Sequence, residues 1–232
     1  MKPEAVGATT ADGVTLRGEL VRGGDVWICL VHDVGEDIDA WRPLRADLVR
    51  KGWSVLALDL RGHGGSDAEW DDEAGALDVD LAVTLARRLG ARHVCVVAAG
   101  RGAVETLRAV ERALPEPAFA LPDTLVLVSA GPLDGIDPWT LRAQGLPKLF
   151  VHGAKDPLAA DSEALRRASI GWTVGVTFGT ESRGTSLVAE WRVNVLDKIV
   201  GLLKEQTKRR CLGEARAAAA AAATRPRRAD SG

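Results

Sequence analysis

The stretch Val94-Cys95-Val96-Val97-Ala98-Ala99-Gly100-Arg101-Gly102-Ala103-Val104-Glu105-Thr106-Leu107 decides the architecture. The unbroken apolar run from Val94 to Ala99 is the mark of a strand covered on both faces. Gly100 and Gly102 permit an abrupt turn. Beyond them Val104, Leu107 and Val110 fall on one helical stripe. Strand, glycine turn and helix in so short a span predict one unit of a parallel α/β sheet.

The same alternation extends in both directions. Upstream, Ala5–Thr10 and Val14–Val21 are joined by the turn signal Ala11-Asp12-Gly13, which suggests an antiparallel hairpin. Val26–His32 and Ser54–Asp59 are apolar strands, separated by a helix over Trp41–Arg50 that Gly52 closes. Leu77–Leu89 reads as a helix ended by Gly90. Downstream of the opening stretch, Thr124–Ser129, Lys148–His152 and Trp172–Phe178 read as strands and Ser162–Ala168 as a helix. Leu187, Trp191, Val195 and Ile199 then recur every four residues, predicting one final helix to about Lys204. The whole is a mainly parallel sheet of roughly eight strands with helices on both faces.

A chain of 232 residues, 46% hydrophobic, can bury one large core. The net charge of −2 hides an asymmetry: from Lys204 onward eight Lys/Arg face three Asp/Glu, so this end is +5 and the remainder −7. Residues 1–205 are expected to form the folded domain. Residues 206–232, with seven alanines at Ala217–Ala223 and the run Arg225-Pro-Arg-Arg228, are expected to form a basic tail, frayed or disordered. That tail carries no aromatic residue for base stacking, which argues against nucleic acid as a partner. The opening residues carry Lys2 and Glu4 and no apolar run, and no segment approaches the ~18 apolar residues of a membrane span. The expectation is a soluble, cytoplasmic protein. Of three cysteines, Cys29 and Cys95 lie in strand-like runs and read as buried thiols.

Four motifs in order carry a family resemblance. His32-Asp-Val-Gly35 resembles the His-Gly-x-Gly loop that follows the third strand of α/β-hydrolases. Asp59-Leu-Arg-Gly-His-Gly-Gly-Ser-Asp67 resembles the loop after their fourth strand. His152-Gly-Ala-Lys-Asp156-Pro157 resembles the turn that carries their catalytic acid. Arg183-Gly-Thr-Ser-Leu187 resembles their His-Gly-Thr-x-Leu segment. From about Val14 to Leu203 the chain is similar to small esterase, dienelactone-hydrolase-like or serine-aminopeptidase-like members. The resemblance implies the α/β-hydrolase fold. Only eighteen residues separate Ser129 from Lys148, where lidded members insert a cap, so no sizeable cap is expected and any cover would come from Leu133–Trp139 and the Gly65–Asp72 loop.

The resemblance also implies a Ser–His–acid triad with its serine on a Gly-x-Ser-x-Gly elbow. Here the elbow is Ala98-Ala99-Gly100-Arg101-Gly102, with glycine in the serine's place. The histidines are His32, His63, His93 and His152; none follows the candidate acid Asp156, and Arg183 stands where the family has its base. Arginine stays protonated and cannot serve as one. The triad-equivalent positions Gly100, Asp156 and Arg183 therefore predict loss of serine-hydrolase chemistry.

What remains is an oxyanion hole, which the resemblance places at the N–H after the nucleophile and one N–H of the loop after His32. Asp33, Val34, Arg101, Gly102, Ser129 and Arg183 are the candidate binding residues, with an Asp156–Arg183 ion pair replacing the acid–histidine contact and Arg101 on the rim. Such a pocket would take a small carboxylate or phosphate. The bland alternative has Arg183 and Arg101 pointing to solvent. No metal site or cofactor is expected. A binding or scaffold protein is thus set against an esterase-like hydrolase of small acyl substrates using unconventional residues such as Ser129 or Asp156.

Overall fold

The computed structural model describes residues 2–113, 120–132 and 145–223, with side chains to 208. Eight strands form one sheet: β1 Glu4–Thr9, β2 Thr15–Val21, β3 Val26–Val31, β4 Ser54–Leu58, β5 His93–Ala99, β6 Thr124–Val128, β7 Lys148–Gly153 and β8 Thr173–Phe178. Their order is β1-β2-β4-β3-β5-β6-β7-β8, with β1 and β2 antiparallel to their neighbours and the rest parallel. The described helices are α1 Arg42–Arg50, α2 Gly75–Arg88, α3 Gly100–Ala113, α4 Ala159–Ala168, α5 Gly184–Glu190 and α6 Arg192–Ala223, with a short 3-10 turn at Ile38–Trp41.

The two-residue period of the strands divides the core in two. On β5, Val94, Val96 and Ala98 pack with Val79 and Ala86 of α2, Leu107 and Val110 of α3 and Leu165 of α4. Cys95, Val97 and Ala99 face the other way, with Leu44 and Leu48 of α1, Leu187 of α5 and Val195, Ile199 and Leu202 of α6. Val94, Val96 and Val97 are fully buried, and each such burial contributes about 1.5–3 kcal/mol. This two-sided burial is why the strand reads as a continuous apolar run. It also separates the cysteines: Cys29 and Cys95 lie on adjacent strands but belong to opposite faces. Both are free, and burial pushes the Cys29 thiol up to about 12.

Two corrections concern the C-terminal helices. The four-residue spacing predicted one helix, but it breaks at Trp191 (φ −106°, ψ 28°) between α5 and α6. The break lays Trp191 against Phe178, ring centroids 4.8 Å apart. Helix α6 also does not stop near Lys204; it continues to Ala223, in keeping with alanine's high helix propensity. No described helix is long and apolar enough to cross a membrane. No cap interrupts the β6–β7 connection among the described residues; the segment Leu133–Trp139, expected to contribute cover, lies outside them.

The polar loop after β4 is fixed from below. Arg61, 3% exposed, donates from Nε and a terminal nitrogen to Asp78 Oδ1 at 3.0 and 2.8 Å, and its backbone N–H donates to Asp78 Oδ2 at 2.8 Å. Its other terminal nitrogen reaches Asp12 in the β1–β2 turn at 2.8 Å. One buried guanidinium thus ties the hairpin, the β4 loop and α2 together at the end of the sheet that carries the elbow.

Candidate functional site

Strand β5 passes into α3 with no intervening loop, and Gly100 makes the turn at φ +53°. That left-handed conformation strains most residues and is free for glycine. Two residues on, a Cβ at Gly102 would strike the His32 carbonyl and the Val31 side chain. Glycine there lets α3 lie hard against β3, so the first N–H groups of the helix open towards the loop after β3.

That loop fills the elbow. Asp33 Oδ1 accepts the Arg101 N–H at 2.7 Å and the Val34 N–H at 2.9 Å. A Cβ placed on Gly100 would fall inside the Asp33 carboxylate. The volume that a nucleophile's side chain needs therefore holds a carboxylate, and that carboxylate takes the N–H following the nucleophile position. Arg183 approaches from the far side, with 3.5 Å between its guanidinium and Asp33 Oδ2; Asp33's side chain is 13% exposed and Arg183's 55%. Such a half-exposed pair contributes little, about 0–1 kcal/mol. The hydrogen bonds to the charged oxygen are the stronger contacts.

Further contacts hold the Asp33 backbone independently of its side chain. Its N–H donates to Glu36 Oε2 at 3.2 Å, and its carbonyl lies 2.7 Å from His32 Nδ1. Glu36 in turn accepts from the Thr185 hydroxyl of α5. Next to these, the Gly184 N–H donates to Ser129 Oγ at 2.9 Å. Ser129 is fully buried with φ +51°, one of two described non-glycine residues with positive φ. The loops after β3, β6 and β8 and the β5–α3 elbow are thereby joined around one carboxylate.

The expected Asp156–Arg183 ion pair is not formed: Arg183 turns to Asp33 instead. Asp156, 4% exposed, accepts the Leu158 N–H at 2.9 Å through Oδ1, while its buried Oδ2 has no hydrogen-bond partner. Arg101 is corrected as well. Its guanidinium runs along α3 to Glu105 and Asp72, at 2.8 and 3.1 Å, and only its N–H serves the elbow. Of the candidate residues, Asp33, Val34, Gly100, Arg101 and Arg183 meet at one point, with Ser129 beside them. Gly102 acts through packing, and Val34 supplies its N–H while its side chain is 39% exposed. Sequence reasoning missed Glu36 and Thr185. It also read Asp33 as part of a pocket wall and not as the occupant. The available signal was a pair of reciprocal departures: an aspartate where the His-Gly-x-Gly loop has glycine, and a glycine where the elbow has serine.

The histidines have structural partners. His32 Nε2 accepts the Leu60 N–H at 3.0 Å, and burial lowers its pKa, so it is neutral at pH 7. His63 Nε2 accepts the Gly35 N–H at 2.8 Å. His152 sits between the Gly153 carbonyl and Thr177 Oγ1, and His93 beside Asp123 and Thr124 on the opposite end of β5. None of them is hydrogen-bonded to Ser129, whose Oγ accepts the Gly184 N–H. Four hollows of about 150–230 Å³ lie beside Asp80 and Arg88, beside His93 and Gln206, beside Trp172 and Gly201, and beside Glu190 and Asn194; Asp33 and Gly100 line none of these four.

This sheet order, with a strand–glycine–helix elbow on its central strand, is that of the α/β-hydrolase fold. The family model described as the alpha/beta hydrolase fold matches residues 26–130. Among solved structures the chain is similar to an esterase of Pyrococcus furiosus (16% identity, TM-score 0.75, covering 88% of this chain and 92% of that one). It is also similar to an esterase of Exiguobacterium antarcticum (16%, 0.68, 86% and 99%) and to epoxide hydrolase A of Mycobacterium thermoresistibile (18%, 0.67, 88% and 98%). At these identities the likeness is one of fold. No functionally curated protein matches the chain.

Proposed function

We propose that this chain is a non-catalytic α/β-hydrolase-fold protein, acting by binding or as a scaffold and not by turning over an ester. The observation that carries the reading is the Asp33 carboxylate in the volume of the missing nucleophile, bonded to the Arg101 N–H at 2.7 Å. Serine hydrolysis needs a nucleophile, a base and a vacant oxyanion hole at once. At this elbow the first is Gly100, the second is Arg183, and the third holds a carboxylate. A small anionic ligand, carboxylate or phosphate, would have to compete with Asp33 for the same donors.

Fluorophosphonate labelling followed by intact-mass measurement tests the reading. The expected spectrum shows unmodified protein after prolonged exposure at pH 8. A stoichiometric adduct, mapped to Ser129 or to any other serine, would restore the chain to the active hydrolases.

A further inference from the structure

The elbow does more than lack a nucleophile: it holds a negatively charged group in a fitted seat. Both oxygens of Asp33 are used, one on the Arg101 and Val34 N–H groups and the other facing the Arg183 guanidinium. The backbone of residue 33 is held apart from this, by Glu36 on its N–H and by His32 Nδ1 on its carbonyl. Glu36 is itself anchored on Thr185. Removing the Asp33 side chain therefore takes away the carboxylate and leaves its donors and its volume in place. The missing Cβ at Gly100 enlarges that volume, and Gly184 lies against it from the Arg183 side, where a Cβ would meet Ala99 and Asp33 at 3.8 Å.

We propose that Asp33 is the resident intramolecular ligand of a carboxylate-binding site, and that short monocarboxylates occupy the same site once this side chain is withdrawn. The inference rests on the non-catalytic reading for the absence of a nucleophile beside the ligand. The ligand class follows from the seat. It provides two N–H donors for one oxygen and a planar cation for the other, which suits a carboxylate of formate or acetate size. In the wild-type chain Asp33 is tethered, so its effective concentration exceeds that of millimolar free carboxylate, and the site is closed to it. A carboxylate borne by a ligand or partner gains entry by displacing Asp33 outward, past the exposed side chain of Val34.

Thermal melting of full-length Asp33→Gly in sodium acetate, against sodium chloride at equal ionic strength, tests this. The variant should melt below wild type, and acetate at about 100 mM should return about 3 °C in a saturable way for a site of roughly 10 mM affinity. Wild type should show no acetate-specific gain, and Asp33→Gly combined with Arg183→Ala should show a smaller one than Asp33→Gly alone. No acetate-specific gain in Asp33→Gly, or an equal gain in wild type, overturns the proposal. Should Asp33→Gly not fold, amide hydrogen exchange on the wild-type chain decides. Slow exchange at Arg101 and Val34, lost in Asp33→Ala, supports the seat, and fast exchange in wild type overturns it. Turnover of an ester by the wild type would remove the non-catalytic reading while leaving the acetate result intact. An absent acetate response without turnover removes only the present inference.

Discussion

Gly100 and Asp33 are 67 positions apart yet occupy each other's space, so their substitutions should couple. Gly100→Ser alone places a side chain inside the Asp33 carboxylate and is expected to cost about 1–3 kcal/mol, as overpacking does. Adding Asp33→Gly should recover about 1–2 kcal/mol of that loss in urea denaturation, a coupling typical of residues in contact. Additive effects would show that the two positions do not share a volume. Two other residues make their cost visible through pH. Asp80 is buried with Oδ2 lacking a hydrogen bond and Arg112 3.7 Å away, and burial pushes its carboxyl from 3.8 up to about 7. A raised acid stabilises the fold when protonated, so its contribution is present below about pH 4 and is lost as pH rises through 7. Asp80→Asn should accordingly be more stable than wild type by about 1–2 kcal/mol at pH 8, with the difference gone near pH 4. Lys148 is the mirror case: fully buried, it donates to the Leu146 carbonyl at 2.9 Å, and burial lowers its ammonium to about 8. Its contribution is present above 10.5 and lost as pH falls through 8. Lys148→Met should therefore stabilise the chain at pH 7 and do so less at pH 10, as read by melting at both values.

At the scale of elements, what was legible in the sequence followed burial. Strands β3, β4, β5 and β6 are covered on both faces, and their unbroken apolar runs gave them away to within a residue or two. The division of α5 from α6 was not legible. Leu187, Val195 and Ile199 face the same core from both helices, so the spacing runs on through a break set by Trp191 and Phe178. The continuation of α6 beyond Lys204 was likewise hidden, because that segment lacks an apolar stripe and its helicity comes from alanine. The connection after β4 makes a testable claim of its own. Arg61→Ala would leave the buried carboxylate of Asp78 without its cation, and breaking such a pair costs about 3–5 kcal/mol. Arg61→Ala with Asp78→Ala should be less damaging than Arg61→Ala alone in the same denaturation assay. An equal or greater loss in the pair would mean that Arg61 matters through packing.

For the molecule as a whole, the fold was readable from four motifs in order, because each motif is local and the fold repeats a local unit. The state of the site was only half readable. Glycine at position 100 and arginine at position 183 are properties of single positions, and the sequence displayed both. The choice of Arg183 between Asp156 and Asp33, by contrast, depends on how loops from β3 and β8 meet across the sheet, and no spacing encodes that. The result is an α/β-hydrolase fold whose elbow carries the Asp33 carboxylate on the Arg101 N–H, with Glu36, Thr185 and Ser129 joining the loops around it. The most direct measurement is the hydrolysis of p-nitrophenyl acetate by the purified full-length chain at pH 7–8. The account predicts a rate no greater than that of the heat-denatured protein at every substrate concentration. A saturable rate that disappears on substituting Ser129 or Asp156 would contradict it.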